Sequence, residues 1–216
     1  MRIKNAVVAG VLVSASCMTQ AALVSTDDVA FGAGAITLDT TTGLEWLDLT
    51  VSTDLSFNFV SSQFGVGGQF FGFRYAINSE IGSLWNDAGI LITQTINGHL
   101  VPDPANIAPI ETLQALIGIT APSPNQNTSQ GISGTVFAGT YPHLLPYLIS
   151  DGMTAPLCCE ENIGGWVGSD HNPGVGSWLV RGEPPSSGSY IYEPTSLALL
   201  SIALAGLGAT RRRKLT

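Results

Sequence analysis

The fold of this chain is decided by the stretch Ala35-Ile36-Thr37-Leu38-Asp39, Thr40-Thr41-Thr42-Gly43 and Leu44-Glu45-Trp46-Leu47-Asp48-Leu49. Apolar and polar residues alternate in its first and last parts, which is the pattern of strands that each bury one face. The threonines and the glycine between them are typical of a turn. The stretch therefore predicts an antiparallel hairpin near the start of a domain.

Three segments with helical spacing follow this hairpin. Ser56 is a suitable N-cap for a first helix that reaches Phe64, and Asn78 or Ser79 can begin a second. A third helix is predicted over residues 110–117, with Gly118 as its end.

Extended segments return towards the end of the domain. Residues 164–168 and 176–181 are predicted strands, whereas residues 97–109 and 121–133 contain the Pro, Asn and Gly that favour loops. Strands at both ends with helices between them predict the α+β class, and we expect the terminal strands to pair with each other.

The charge of the chain is divided unequally. All 16 Asp and Glu lie between residues 22 and 193, but of the 8 Lys and Arg only Arg74 and Arg181 do, so this body carries 2 − 16 = −14. Such a body repels nucleic acid and anionic membrane surfaces, which argues against a nucleic-acid function. It suits a protein of the cell surface and could attract divalent cations.

The amino terminus has the pattern of a secretory signal peptide. A basic start with Arg2 and Lys4 precedes an apolar stretch, and small residues follow at Ala21 and Ala22. We expect residues 1–21 to direct the chain to the secretion machinery. Signal peptidase should then cut after Ala21 or Ala22. A buried N-terminal helix is the alternative interpretation.

The carboxy terminus repeats this pattern in a different order. The uncharged residues 195–210 are close to the lower limit of about 17 residues for a membrane span. The cations after them should stay in the cytoplasm, so the body would lie outside it. These cations are Arg211, Arg212, Arg213 and Lys214.

This tail, residues 192–216, resembles the PEP-CTERM sorting signal. The family has a Pro-Glu-Pro-like triplet, a short apolar helix and an Arg-rich end; here Tyr192 replaces the first Pro, while Glu193 and Pro194 remain. The resemblance implies an exosortase, a membrane protease-transpeptidase, as a partner that removes the tail. It also implies a Gram-negative source, passage through the inner membrane, and then the cell surface or the extracellular space. A plain single-pass anchor is the alternative, and residues 183–191 read as a linker.

The body contains a second ordered set of segments: Asp39-Thr40-Thr41-Thr42-Gly43-Leu44-Glu45-Trp46, Gly72-Phe73-Arg74-Tyr75-Ala76 with Glu80, Trp166-Val167-Gly168, and Trp178-Leu179-Val180-Arg181. They resemble the adhesin-type Lcl C-terminal domain, whose fold is related to C-type lectins. Phe73-Arg74-Tyr75-Ala76 departs from the Trp-Arg-Leu-Pro core of that family, and Ile81 replaces a Leu. The resemblance implies a C-type-lectin-like domain over residues 22–182, without a catalytic set to carry over.

Two kinds of side chain in the body have alternative roles. Arg74 and Arg181 lie in apolar segments. They can be buried residues that form ion pairs or cap carbonyl groups, or they can be ligand contacts. Glu80 is a candidate partner for Arg74. The four tryptophans can be core residues or sugar-stacking platforms. They are Trp46, Trp85, Trp166 and Trp178.

Other reactive residues give no recognised site. Cys158 and Cys159 can form a vicinal disulfide, pair with another chain or remain thiols. The three histidines lack metal-ligand spacing, so we expect no metal and no cofactor. The acidic pair Asp27-Asp28 and the tripeptide Asp170-His171-Asn172 have oxygen ligands for Ca²⁺ but no recognised loop pattern.

These observations favour a non-enzymatic surface or matrix protein that binds polysaccharide or another envelope component. An extracytoplasmic enzyme acting on glycans and a purely structural surface protein are the alternatives. Two facing carboxylates across a cleft would favour the enzyme, an exposed aromatic patch the binder, and a smooth acidic surface the structural role.

Overall fold

The computed structural model describes residues 23–91, 103–136, 142–150 and 166–182, and the backbone of residues 95–96, 99–100 and 157–158. All of them belong to one compact unit, Met1–Gly182. The expected signal peptide, linker and sorting tail lie outside the described residues. Within the described part of the chain, no helix has the length and apolarity that a membrane crossing requires.

The described residues form twelve strands and three α-helices. The strands are β1 (Leu23–Asp28), β2 (Gly32–Asp39), β3 (Glu45–Leu47), β4 (Arg74–Tyr75), β5 (Thr95–Ile96), β6 (His99–Leu100), β7 (Ala121–Ser123), β8 (Gln126–Ile132), β9 (Tyr147–Ser150), β10 (Leu157–Cys158), β11 (Gly176–Ser177) and β12 (Leu179–Arg181). The helices are α1 (Phe57–Ser62), α2 (Asn78–Asp87) and α3 (Ile107–Ile117), with 3-10 helices at Leu49–Ser52 and Pro104–Asn106.

The predicted hairpin is confirmed as β2 and β3, which are antiparallel with Thr37 opposite Trp46. Its turn is held by Asp39, whose Oδ1 accepts the Thr41 N–H at 2.9 Å and whose Oδ2 accepts the Thr42 hydroxyl at 2.7 Å. The second strand ends at Leu47, earlier than predicted, because Asp48 caps the 3-10 helix that follows.

The hairpin belongs to a five-stranded sheet with the order β1-β2-β3-β12-β4. The expected pairing of the terminal strands is confirmed: β12, from the predicted strand at 176–181, pairs with β3 of the predicted hairpin, and it also pairs with β4. A further strand that the sequence did not reveal, β1, pairs with β2 at the edge of this sheet. Val24 is 42% exposed, which suits the sheet edge, whereas Leu179 and Val180 of β12 are fully buried and take an interior position.

The three predicted helices are confirmed. The Ser56 hydroxyl caps α1 by accepting the Phe59 N–H at 3.2 Å, and α2 buries Ile81, Leu84 and Trp85. Helix α3 ends at Gly118, where φ is 84°. It starts at Ile107, before the predicted residue 110, because a proline is tolerated in the first helical turn.

The loop predicted over residues 121–133 is wrong. These residues form the antiparallel hairpin β7–β8, with Ser123 opposite Gln126. Polar residues conceal the strand in the sequence: Ser129 is completely buried, and its hydroxyl donates to the Gly118 carbonyl at 2.6 Å. The segment 97–109 likewise contains β6 and a 3-10 helix.

A second sheet has the order β11-β8-β9-β10-β6-β5, with β7 also paired to β8. Its only parallel pair among the described strands is β8 with β11. One core cluster contains Trp46 of β3, Trp178 between β11 and β12, and Leu148 of β9. Residues of α2 and α3 belong to the same cluster. An antiparallel sheet and a mixed sheet, with helices packed on them, confirm the α+β class.

Candidate functional site

Arg74 and Glu80 form a two-point ion pair. Nη1 donates to Oε2 at 2.8 Å and Nη2 to Oε1 at 2.6 Å, and the same Oε2 accepts the Ile77 N–H. Burial raises the pKa of Glu80, but the hydrogen bonds from Arg74 and Ile77 outweigh it and hold the pKa below its ordinary value. Arg74 therefore ties β4 to the first turn of α2, with its side chain 41% exposed.

Arg181 connects three parts of the first sheet. Its Nη1 donates to Asp28 Oδ2 at 2.8 Å, its Nε donates to Glu45, and its guanidinium lies 4.8 Å from the centre of the Phe73 ring. Burial raises the pKa of Asp28, but the Ala30 N–H and Arg181 outweigh this and lower it. Both arginines of the body are thus occupied by carboxylates.

Three of the four tryptophans are core residues. Trp46 and Trp178 are 1% exposed and Trp85 5%, and Trp178 meets the other two edge to face. The Trp178 indole N–H donates to the Pro146 carbonyl at 3.0 Å. Trp166 is half-buried, and its backbone pairs with that of His143.

Among the described residues, Cys158 and the histidines lie in the second sheet and in the loops around it, and the structure describes some of them by their backbone alone. The backbone of Cys158 lies opposite that of His99 in the second sheet, and Cys159 falls outside the described residues. His143 is buried and stacks on Phe57 at 3.7 Å. Among the described residues, no three His, Cys, Asp or Glu side chains form a group that could hold a metal ion.

An exposed polar surface forms where the start of α1 meets the loop at residues 167–175. Asp54 N–H donates to the Asn172 carbonyl at 3.1 Å, and Asn58 N–H donates to the Gly168 carbonyl at 2.8 Å. We call the exposed side chains at this junction the loop face. Its members are Asp54, Asn58, Phe59, His171 and Asn172.

The backbone of Asp54 is strained. Its φ of 61° is the only positive value of a non-glycine residue in the described segments, and aspartate tolerates this region better than most residues. Its Oδ1 lies 2.9 Å from His171 Nδ1, with the two side chains 54% and 63% exposed. Strained residues of this kind cluster at functional sites, which makes the loop face the candidate site.

Several side-chain oxygens that could be Ca²⁺ ligands accept hydrogen bonds from backbone N–H groups in the loops. Asp170 Oδ2 accepts the Val167 N–H at 3.1 Å, and Asn172 Oδ1 accepts the Gly174 N–H at 2.7 Å. Asp27 Oδ1 likewise accepts the Gly34 N–H at 2.9 Å. Sequence reasoning singled out these residues, but the structure uses the named oxygens to shape turns.

A carboxyl pair that the sequence did not reveal lies elsewhere. Asp39 is completely buried, and its carboxyl group shares a hydrogen bond with the carboxyl group of Asp87, the last residue of α2, when one of the two is protonated. Burial, and then the charge of Asp39, raise the pKa of Asp87 to about 6. The one available signal was an acid at a helix C-terminus, where the helix dipole disfavours it.

Comparison of the chain with protein families, curated proteins and solved structures finds no match. The site is therefore defined by its own chemistry. The loop face offers carboxylate, amide and imidazole groups, and Phe59, which follows Asn58 in α1, is 45% exposed. Hydrogen-bonding groups next to an apolar surface are suited to a ligand with hydroxyl groups on one side and C–H groups on another.

Proposed function

We propose that this chain is an exported envelope protein whose loop face binds a neutral polysaccharide without catalysing a reaction. The observation that carries the binding proposal is the strained Asp54, which fixes the His171 ring in place while both side chains remain exposed. Strain of this kind is retained where function requires a fixed geometry.

The charges support a neutral ligand. Arg74 and Arg181 are the only Lys or Arg between residues 22 and 193, and each is paired with carboxylates. The body therefore has no unpaired guanidinium or ammonium side chain for an anionic polysaccharide. Hydroxyl groups can still be bound by the amide, carboxylate and imidazole groups of the loop face.

The two ends of the sequence support the route of export. We propose that residues 1–21 direct secretion and that an exosortase recognises the 192–216 tail, passing the protein through the inner membrane to the surface. We propose further that residues 22–182 are a divergent C-type-lectin-like domain. The packing of Trp46 against Trp178 supports this, because these residues belong to the first and last of the quoted family segments.

The enzymatic alternative has less support. Asp39 and Asp87 are in direct hydrogen-bond contact, and Asp39 is completely buried. Glycosidases instead place their two carboxyl groups about 5–10 Å apart across an accessible cleft.

Export is tested with a full-length chain carrying an internal epitope, produced in one host with an exosortase and in an isogenic host without it. We expect mass spectrometry to show loss of the C-terminal tail only in the first host. A tail retained in both hosts, or full-length chain in the cytosol of both, would refute the proposed route.

Binding is tested with the exported protein on arrays of neutral and anionic polysaccharides. We expect binding to neutral glycans, and a His171→Ala variant should bind at least about tenfold more weakly, a loss of about 1.4 kcal/mol. Asn86→Ala, which removes an exposed amide on α2, is the matched control and should bind as the parent does. Equal binding by both variants, or no binding at all, would remove this proposal.

A further inference from the structure

The first residue of β1 lies beside the buried carboxyl pair. Leu23 is opposite Asp39 in the antiparallel register of β1 and β2. Directly opposed residues have Cα atoms about 4.5–5.5 Å apart and side chains on the same face. The Leu23 side chain packs against the core cluster that contains Trp85 of α2, the helix that ends at Asp87.

The carboxyl pair has no cation among the described residues. Arg74 is bound to Glu80, and Arg181 is bound to Asp28 and Glu45. No other Lys or Arg occurs between residues 22 and 193. Two carboxyl groups in contact at a partly buried position therefore repel each other unless they share a proton or meet a positive charge.

We propose that removal of the leader at the Ala22–Leu23 bond creates this missing cation, the α-ammonium group of Leu23. Hydrolysis adds one water: the new carboxylate leaves on Ala22 and the ammonium stays on Leu23. The register places the Leu23 backbone, which carries this ammonium, directly opposite the backbone of Asp39. The precursor, which has an uncharged amide at this position, leaves the pair uncompensated.

This inference rests on the proposed export, and it gives processing a physical role. The mature chain is more stable than the same chain with a leader attached, because cutting one bond supplies an ion pair. Maturation thus completes the fold at the sheet edge formed by β1.

The test measures coupling between the terminal amine and the pair. Cleavage of an N-terminal fusion yields a chain of residues 23–216 that carries Lys214→Arg. Because Lys4 is absent from this chain, the α-amine of Leu23 is its only amine. Acetylation of this amine should lower the folding equilibrium constant at pH 7 by at least about tenfold. In an Asp87→Asn background, acetylation should change it less than about twofold. We choose Asp87 because Asp39 also holds the β2–β3 turn.

A second measurement follows the amine itself. Its pKa, obtained from the pH dependence of its reaction rate, should exceed the ordinary range of about 7.7–8.0 and fall in the Asp87→Asn chain. Acetylation effects of equal size in both backgrounds, or an ordinary pKa in the parent, would overturn the inference.

The exported protein supplies the remaining readout. N-terminal mass analysis should show a chain that begins at Leu23, and any other first residue would overturn the assigned bond. A failure of sorting is measured separately, because mass spectrometry would then show that the chain retains its C-terminal tail. The coupling experiment does not depend on export, so the two proposals can fail independently.

Discussion

Arg181 meets two carboxylates and one aromatic ring at the end of the first sheet. The cost of replacing it is set by the partners left behind, above all Asp28, whose side chain is only 8% exposed. Arg74 holds a single carboxylate and is more exposed. The two arginines therefore offer a matched comparison of ion pairs in one protein.

We predict that Arg181→Gln lowers the free energy of unfolding by about 2 kcal/mol, because two carboxylates, Asp28 and Glu45, lose their partner at once. Arg74→Gln should lower it by less than about 1 kcal/mol, since Arg74 holds a single carboxylate and solvent reaches its guanidinium, which is 41% exposed. Urea unfolding at pH 7 measures both values. A larger loss for Arg74→Gln would contradict this ranking.

Asp87 should make the stability of the protein depend on pH. Its native pKa, about 6, is above the ordinary 3.8, so the native state holds this proton more tightly than the unfolded state does. This contribution is complete below about pH 4 and is lost as the pH rises through 6. We compare Asp87→Asn with the parent in chains that have a blocked N-terminus. The free energy of unfolding of the variant, relative to that of the parent, should rise by about 1 kcal/mol from pH 4 to pH 7, a value that allows for solvent screening.

Urea unfolding at intervals from pH 4 to pH 8 tests this prediction, with the parent chain as reference. A stability difference that does not vary with pH would disprove it. Asp28 and Glu80 act with the opposite sign because their pKa values are lowered; their contribution is present above about pH 4 and is lost in more acidic solution.

At the level of elements, β11 is pressed against the 3-10 helix at Leu49–Ser52. A Cβ atom added to Gly176 would lie 2.1 Å from the Leu49 carbonyl oxygen, so the backbone itself would have to move. The neighbouring Ser177 N–H donates to the Ser52 hydroxyl at 2.8 Å, which fixes the same approach. Only glycine permits this contact at its present distance.

We predict that Gly176→Ala lowers the free energy of unfolding by about 2–3 kcal/mol through this clash. Gly82→Ala in α2 is the control: an added Cβ there meets no atom within 4 Å, and alanine should stabilise the helix by about 0.5–1 kcal/mol. Thermal unfolding followed by circular dichroism separates the two. The same sign of change in both variants would refute this account of Gly176.

At the level of the whole molecule, the two sheets share a core. Leu148 of the second sheet is completely buried in the cluster that contains Trp46 and Trp178. Unfolding should therefore be a single cooperative transition, and Leu148→Ala should cost about 3 kcal/mol. Tryptophan fluorescence and far-ultraviolet circular dichroism should shift together in urea, whereas separate midpoints would show that the sheets unfold independently.

Local patterns in the sequence were sufficient for much of this fold. The first hairpin, the three helices and the α+β class follow from periodicity and capping residues such as Ser56 and Gly118. Strands whose buried positions hold serine or glycine, as in β8, do not have that periodicity. They were missed because hydrogen bonds, and not apolar contacts, satisfy their buried side chains.

Long-range pairs were beyond the same reasoning. Glu80 is six residues from Arg74 and was a natural candidate, but Glu45 is 136 residues from Arg181 and Asp54 is 117 residues from His171. Only the folded sheet order brings them together. The loop face and the Asp39–Asp87 pair could therefore not be located from spacing, whereas the export signals at the two ends remain predictions of the sequence.

The position of β12 has a mechanical consequence. It lies between β3 and β4, and Gly182, the residue that follows it, leads into the C-terminal segment. A pulling force applied at Gly182 would act on Arg181 before it reached the backbone hydrogen bonds of Val180. Such a force would be shared with Asp28, Glu45 and Phe73, and a strand paired on both sides resists detachment better than a strand at an edge.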